Sequence, residues 1–320
     1  MKSLRVAALV AVLAGWTVPA QAQDVNIPLP ADEIERQLAT DPFTIASAEI
    51  SRPKAKGDIT LKAEVSFPGA PPYLVKLRRA EPGAEDFNNR PRYDLAAYEL
   101  QKLFLDPPEY VVPPTALRFL PLEQLLPYAK EARPTFRGSD EVLVVLQYWL
   151  HEVKVIADVY NAERFATDAV YARHIGQLNI LTALIEHGDS NVGNFLISRA
   201  EEGPRVFSID NGVAFAFNES DRSDLWRKLR VDRLPADAIA RLRAIDERAL
   251  DDRLGVLAEW RLEGDRWIAE PRGANLAPTR GVRQKDGRIQ LGLTSGEIIR
   301  VRRALQRLLK DVEDGKVRTF

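Results

Sequence analysis

Between His187 and Gly212 the chain reads His187-Gly188-Asp189-Ser190-Asn191-Val192-Gly193-Asn194, then Phe195-Leu196-Ile197-Ser198, a polar turn, Val206-Phe207-Ser208-Ile209 and Asp210-Asn211-Gly212. No other stretch constrains the fold as strongly. The pattern predicts a helix end, a polar loop, a strand, a tight turn and a second strand that delivers an aspartate. A phosphoryl-transfer site needs an aspartate to orient a hydroxyl and, five residues on, an asparagine to hold a metal. It then needs an aspartate before a glycine for the metal that bridges the phosphates. Asp189, Asn194 and Asp210 satisfy that order and spacing. A loop aspartate can also be a plain cap or turn former. The strand directly after Asn194, and the Asp210-Asn211-Gly212 run that ends the next one, favour the site.

Composition narrows the alternatives. The chain has 320 residues, 45% hydrophobic and 28% charged, as a soluble globular protein does. With 45 basic and 46 acidic residues it lacks the positive surplus that broad nucleic-acid binding requires. The absence of cysteine excludes thiol nucleophiles, cysteine metal sites and disulfides. The three histidines, His151, His174 and His187, are too dispersed for a zinc motif. Lys2 and Arg5, the apolar run Val6 to Trp16 and the small-residue site Ala20-Gln21-Ala22 predict a secretory signal peptide over residues 1–22, cleaved near Ala22. Its loss would take two basic residues and no acid, moving the net charge from −1 to −3. No second apolar run reaches the ~18 residues of a membrane span, so the mature chain is expected to be soluble and exported, in a bacterial periplasm.

Along the mature chain, Asp32 to Leu38 predicts a short helix. Residues 43–50, 59–67 and 73–77 alternate as three antiparallel strands, and a helix follows over 93–104. Val111 to Pro114 is extended, and Val142 to Leu146 is a buried strand. Helices are expected over 170–186, 224–231, 235–245 and around Leu254. A small β excursion spans 267–293 with a hairpin turn at Asp286-Gly287, and Thr294 or Ser295 caps a last helix over 297–312. The class is α+β, with the two-lobed layout of a kinase. Residues 23–146 would form a small β-rich N-lobe and 147–320 a mainly helical C-lobe.

The remaining candidates follow from that layout. Lys76 lies in the third strand between Val75 and Leu77, and a lysine there needs partners. Nucleotide phosphates would be one, and a carboxylate on the following helix, Asp94 or Glu99, the other. Those two acids are five residues apart and point about 140° from each other, so spacing does not choose. In place of a glycine-rich phosphate loop, the first hairpin offers Arg52, Lys54, Lys56 and Gly57, which could cover phosphates by charge or form a solvated turn. Gln147 to Leu150 would hold adenine through backbone groups, with Tyr148 or Trp149 near the ring. His187 either shapes the loop by hydrogen-bonding backbone or takes a direct catalytic part. The expected cofactors are ATP and Mg²⁺ or Mn²⁺, held by Asn194 and Asp210.

Two segments carry a family resemblance. The run from Phe87 to Phe104, with Tyr93-Asp94-Leu95-Ala96-Ala97-Tyr98-Glu99-Leu100 at its centre, is followed by Val111-Val112-Pro113-Pro114. It resembles the secretory-pathway kinases of the Golgi casein kinase and xylosylkinase family. Asp210-Asn211-Gly212-Val213-Ala214-Phe215 resembles that family's D-N-G-x-x-F segment. The likeness spans roughly residues 73–217 and extends distantly to HipA toxin kinases and phosphoinositide kinases. It implies an atypical kinase fold, a nucleotide lysine at Lys76, an acid of the helix at Asp94, a catalytic aspartate at Asp189 and a metal aspartate at Asp210. The chain departs from the family's animal members in having no cysteine. Its His187-Gly188-Asp189 opening is similar instead to aminoglycoside and choline phosphotransferases. The expected function is an exported, metal-dependent kinase that phosphorylates a hydroxyl of a protein or glycan. The alternatives are a small-molecule phosphotransferase and a catalytically silent pseudokinase that binds a partner.

Overall fold

The computed structural model describes residues 25–53, 59–86, 90–215 and 223–320. The expected signal peptide, Lys54, Lys56 and Gly57 lie outside the described residues. The chain begins with α1 (Ala31–Ala39) and the antiparallel strands β1 (Thr44–Pro53), β2 (Ile59–Ser66) and β3 (Tyr73–Arg79). There follow α2 (Pro91–Gln101), β4 (Thr115–Pro121), the short α3 (Leu122–Leu125) and β5 (Glu141–Tyr148). The five strands form one antiparallel sheet in the order β1-β2-β3-β5-β4.

Strand alternation divides this sheet into two faces. Leu61, Ala63, Val65, Val75, Leu77, Val144 and Leu146 pack with Ile34 and Leu38 of α1 on one side. Leu117, Phe119, Leu143 and Val145 join α2 and the C-terminal helices on the other. Every residue of α2 is buried, which is unusual for a helix carrying Arg92, Asp94 and Glu99. Pro91 starts α2, its missing N–H costing nothing at that position. Gln101 closes it: its Oε1 accepts from the Val111 and Val112 N–H groups, and its Nε2 donates to the Val112 carbonyl, all at 2.9 Å. That fixes the extended Val111-to-Pro114 segment beside the helix.

After β6 (Val153–Val155) and α4 (Ala162–Thr167), the central helix α5 (Ala169–Leu184) runs through the interior, N-capped by Asp168. It leads to the hairpin β7 (Phe195–Ser198) and β8 (Val206–Ser208), which pairs with β6 in a three-stranded sheet. The two-residue β9 (Arg233–Leu234), α6 (Ala236–Arg243) and α7 (Glu247–Leu254) come next. Then β10 (Ala258–Glu263), β11 (Arg266–Glu270), β12 (Val282–Lys285) and β13 (Arg288–Leu291) form a four-stranded sheet. Asp286 and Gly287 both have positive φ, 49° and 71°, as the tight hairpin turn requires. The chain ends with α8 (Ser295–Glu313) and β14 (Arg318–Thr319), which pairs with β9. Thr294 and Glu297 make a reciprocal capping box at the start of α8.

The helix expected over 224–231 does not form. Asn179 of α5 takes backbone groups from that segment, its Oδ1 accepting from Arg230 N–H at 2.6 Å and its Nδ2 donating to the Lys228 carbonyl at 3.0 Å. Those groups are lost to a helical ladder. Trp226 is buried instead, its ring 5.3 Å from Phe195. The C-terminal sheet packs on the first one: Trp260 and Trp267 lie 5.2 and 5.7 Å from Phe119 of β4, and Trp267 N–H donates to Glu141 at 2.6 Å. Among the described residues no helix is long and apolar enough to cross a membrane.

Candidate active site

The β7–β8 hairpin explains how residues distant in sequence meet. Phe195 pairs with Ser208, so Asn194 just before β7 lies beside Ile209 just after β8, and Ile209 N–H donates to the Asn194 carbonyl at 2.9 Å. Asn194 and Asp210 therefore share one wall of a cavity of about 660 Å³. Lys76, Gln147, Tyr148, Trp149, Lys154 and Arg199 also line it. Asp210 has φ 57°, a left-handed conformation uncommon for a residue with a side chain and frequent at functional sites. Glu186 and Phe215 are left-handed as well, and Phe215 N–H bonds the Ile185 carbonyl, tying the end of α5 to the segment after Asp210.

Lys76 makes an ion pair with Asp210. The sequence reading gave Lys76 a helix acid, Asp94 or Glu99, and this is corrected: neither acid pairs with it. Asp94 is held by Arg78, two residues along β3 and on the same face as Lys76. Glu99 points to the other side of α2, where Lys102 Nζ lies at 2.6 Å, Arg253 at 3.0 Å and Arg272 at 3.3 Å. Burial alone would push Glu99 up, but these cations hold its carboxyl below the usual range. Glu99 thus belongs to an ion-pair cluster outside the cavity wall.

Arg78 was not singled out from the sequence. The available signal was period-2 alternation, which places residues 76 and 78 on one face of a strand. Its guanidinium lies 3.9 Å from Asp210. Gly212 makes this possible: a Cβ there would sit 3.1 Å from Arg78 Nη2 and 3.4 Å from Asp94 Oδ2.

Asp189 is 5% exposed and does not line the cavity. Asn191 Nδ2 donates to its carboxylate, and Asn194 Nδ2 donates to its carbonyl at 2.9 Å. The loop is anchored further by Gly188 N–H to the Val213 carbonyl at 2.9 Å and Ser190 N–H to the Ser223 carbonyl at 2.7 Å. His187 is fully buried and makes the backbone hydrogen bond that a loop-shaping part calls for. Its Nδ1 accepts from Asp189 N–H at 3.3 Å and its ring lies 5.1 Å from Phe195. Burial lowers its pKa to about 4, so the ring is neutral at pH 7. His174 is lowered to about 4 by the same cause.

These histidines make stability depend on pH. Each has a folded pKa below its unfolded value of about 6.5, so the unfolded chain binds the proton first. Their contribution is complete above pH 6.5 and is lost as pH falls toward 4. Urea unfolding at pH 7 and pH 5 should differ by about 2 kcal/mol per histidine. His187→Asn should remove about half of that difference; an unchanged pH dependence would rule out the buried neutral ring.

The linker region has its own anchor. Tyr148 turns its ring into the core against Tyr73, 5.4 Å away, and burial raises its hydroxyl to about 12. Tyr148 N–H donates to the Pro114 carbonyl and Trp149 N–H to the Leu74 carbonyl. Gln147 donates to Thr115 Oγ1 at 2.9 Å. Asn26, from the lead-in, donates to the carbonyls of His151 (2.8 Å) and Glu152 (3.2 Å), and its own carbonyl accepts from His151 N–H. Nothing in the sequence marks Asn26 for this part.

The donor set fits a hard divalent ion. With the Asn194 amide nitrogen committed to Asp189, its oxygen is the atom left for a ligand, beside the Asp210 carboxylate. Among the described residues no group of three or more histidine, cysteine, aspartate or glutamate side chains could hold a metal alone. Two protein oxygens completed by phosphates and water is how Mg²⁺ is commonly held.

No family model matches the chain, and no curated protein matches its sequence. Solved structures do match. A crystal structure of the Golgi casein kinase superposes with a TM-score of 0.52 at 14% identity, covering 89% of this chain and 74% of that one. The same kinase with Mn and ADP bound gives 0.54 at 15%, covering 89% and 76%. At these identities the likeness concerns architecture: the chain has an α+β, atypical kinase-like fold.

Proposed function

We propose that the chain is an ATP- and metal-dependent phosphotransferase that acts on a hydroxyl of a protein or glycan. The observation that carries this reading is the meeting of Asn194, Asp210 and Lys76 at one cavity large enough for a nucleotide, inside a kinase-like fold. Asn194 and Asp210 would hold Mg²⁺ or Mn²⁺, which when bound would offset the negative charge of the phosphates. Lys76 would turn its ammonium from Asp210 to the nucleotide phosphates. Asp189, kept in place by Asn191, would orient the acceptor hydroxyl and accept its proton. Asn26 would keep the 151–152 linker fixed against the base. The leader expected over residues 1–22 supports export, with a periplasmic site of action.

A thermal-shift scan with ATP and Mn²⁺, paired with an assay of metal-dependent ATP turnover, tests this. Ligand at 100 times its Kd should stabilise the fold by about 2.7 kcal/mol. Neither shift nor turnover would remove the reading. A shift without turnover would favour a nucleotide-binding pseudokinase, which the Lys76 ammonium seated on the metal carboxylate also suits.

A further inference from the structure

Four charged side chains alternate in sign from the core to the cavity: Asp94 on α2, Arg78 on β3, Asp210 after β8 and Lys76 on β3. Arg78 is the junction. Its side chain is 2% exposed and it bonds Asp94, which is itself fully buried. It lies 3.9 Å from Asp210, whose side chain is 25% exposed. Among the described residues the second Asp94 oxygen has no hydrogen-bond partner, so Arg78 is what compensates this carboxylate. A guanidinium is always charged and presents donors in a planar fork, so it can engage one acid on each side. A lysine ammonium at the same position would be a point charge able to sit well on only one.

We propose that Arg78 is a positioning residue that couples α2 to the metal-binding carboxylate. One side of its guanidinium holds Asp94, and the other holds Asp210 in its left-handed conformation and turned toward the cavity. Because Arg78 secures the strand-to-helix contact, Lys76 is released from that duty and is available to phosphates. The inference rests on the phosphotransferase reading of the site.

A charge-neutral double substitution separates position from stability. Arg78→Met leaves Asp94 buried without its cation and should destabilise the fold strongly. Adding Asp94→Val removes the orphaned charge, and replacing a buried pair by apolar side chains of similar total volume is commonly neutral or stabilising. The double variant should therefore recover the urea midpoint of the parent chain. It also keeps the net charge of the quartet. Its affinity for Mn²⁺·ADP, measured by calorimetry, should nevertheless fall by about tenfold or more, since Asp210 has lost its hold. A double variant that regains both stability and Mn²⁺·ADP affinity would show that the pair is only structural. Should the double variant fail to fold, Arg78→Lys serves: it keeps the charge on Asp94 but lacks the second arm. Unchanged Mn²⁺·ADP affinity there overturns the proposal. If the parent chain itself binds no Mn²⁺·ADP, the phosphotransferase reading falls and this proposal with it, an outcome distinct from the other two.

Discussion

Asp210→Ala should abolish metal-dependent nucleotide binding and lower phosphotransfer by at least about 10²–10³-fold, the scale seen when one preorganised electrostatic contact to a transition state is removed. The carboxylate does three things at once in the structure. It faces the cavity beside Asn194, it receives Lys76, and it lies 3.9 Å from Arg78. Its removal would take away the charged member of the proposed metal-ligand pair and leave Lys76 and Arg78 close together without the carboxylate that lies between them. Neither cation can replace the carboxylate as a metal ligand, because ammonium and guanidinium groups have no lone pair to donate. The fold should survive, since Asp94 still compensates Arg78. The measurements are calorimetric titration with Mn²⁺·ADP and single-turnover transfer, with circular dichroism as the control for folding. Wild-type turnover in this variant would sink the assignment of the site.

The largest effect on stability is expected at Arg92→Met. Arg92 is buried, and its guanidinium bonds Glu297 at 2.6 and 3.0 Å and Glu85 at 2.7 Å. Tyr93 bonds Glu297 as well. Gly281 closes over the guanidinium so tightly that a Cβ there would lie 2.2 Å from Arg92 Nε. Burial would push Glu297 up, but Arg92, Tyr93 and the Thr294 N–H hold its carboxyl below the usual range. The pair fastens the first turn of α2 to the first turn of α8, about two hundred residues later in the sequence. Taking away the cation leaves the half-buried Glu297 with the Tyr93 hydroxyl and the Thr294 N–H but no counter-charge, which should cost about 3 kcal/mol. Urea unfolding at pH 7 reads this directly. The sign of the pH dependence follows from the depressed carboxyl: the pair contributes fully above the unfolded pKa of about 4.3 and loses its contribution as pH falls through the lower folded value. The Met variant should therefore lose part of the acid sensitivity of the parent chain. A loss below 1 kcal/mol would mean that α8 does not hold α2.

The parts of the fold legible in the sequence are those governed by local periodicity. Alternation gave the strands at 44–53, 59–66 and 73–79, and helical spacing gave α5 and α8, each within a few residues. The hairpin turn at Asp286-Gly287 was legible because only a few residue types tolerate positive φ. The segment 224–231 was not, because a side chain from α5 competes for its backbone groups, and that competitor is remote in sequence. At the proposed site the same distinction separates a signal in the sequence from a contact made only by the fold. Asp189, Asn194 and Asp210 stand in one short run, and their spacing is itself the signal. The partner of Lys76 depends on which way α2 faces, which is a tertiary fact. Glu99 had the reach, but Lys102 one turn along and two remote cations, Arg253 and Arg272, take it. Arg92 carries no motif and Glu297 reads only as the acid of a capping box; their pairing appears only when α8 lies against α2.

The complete burial of α2 has a consequence for control. α2 carries Asp94 against Arg78 of β3, and a helix so placed could act as a lever only through a surface that a partner can push. Here the helix has none: the sheet covers one side, α5 and α7 lie against it, Gln101 seals one end and Arg92 bolts the other to α8. A partner protein would have to unpack the core to swing it. The arrangement is that of a part set once, at folding, and left in place, so the proposed activity would be governed by the supply of its ligands and not by movement of α2.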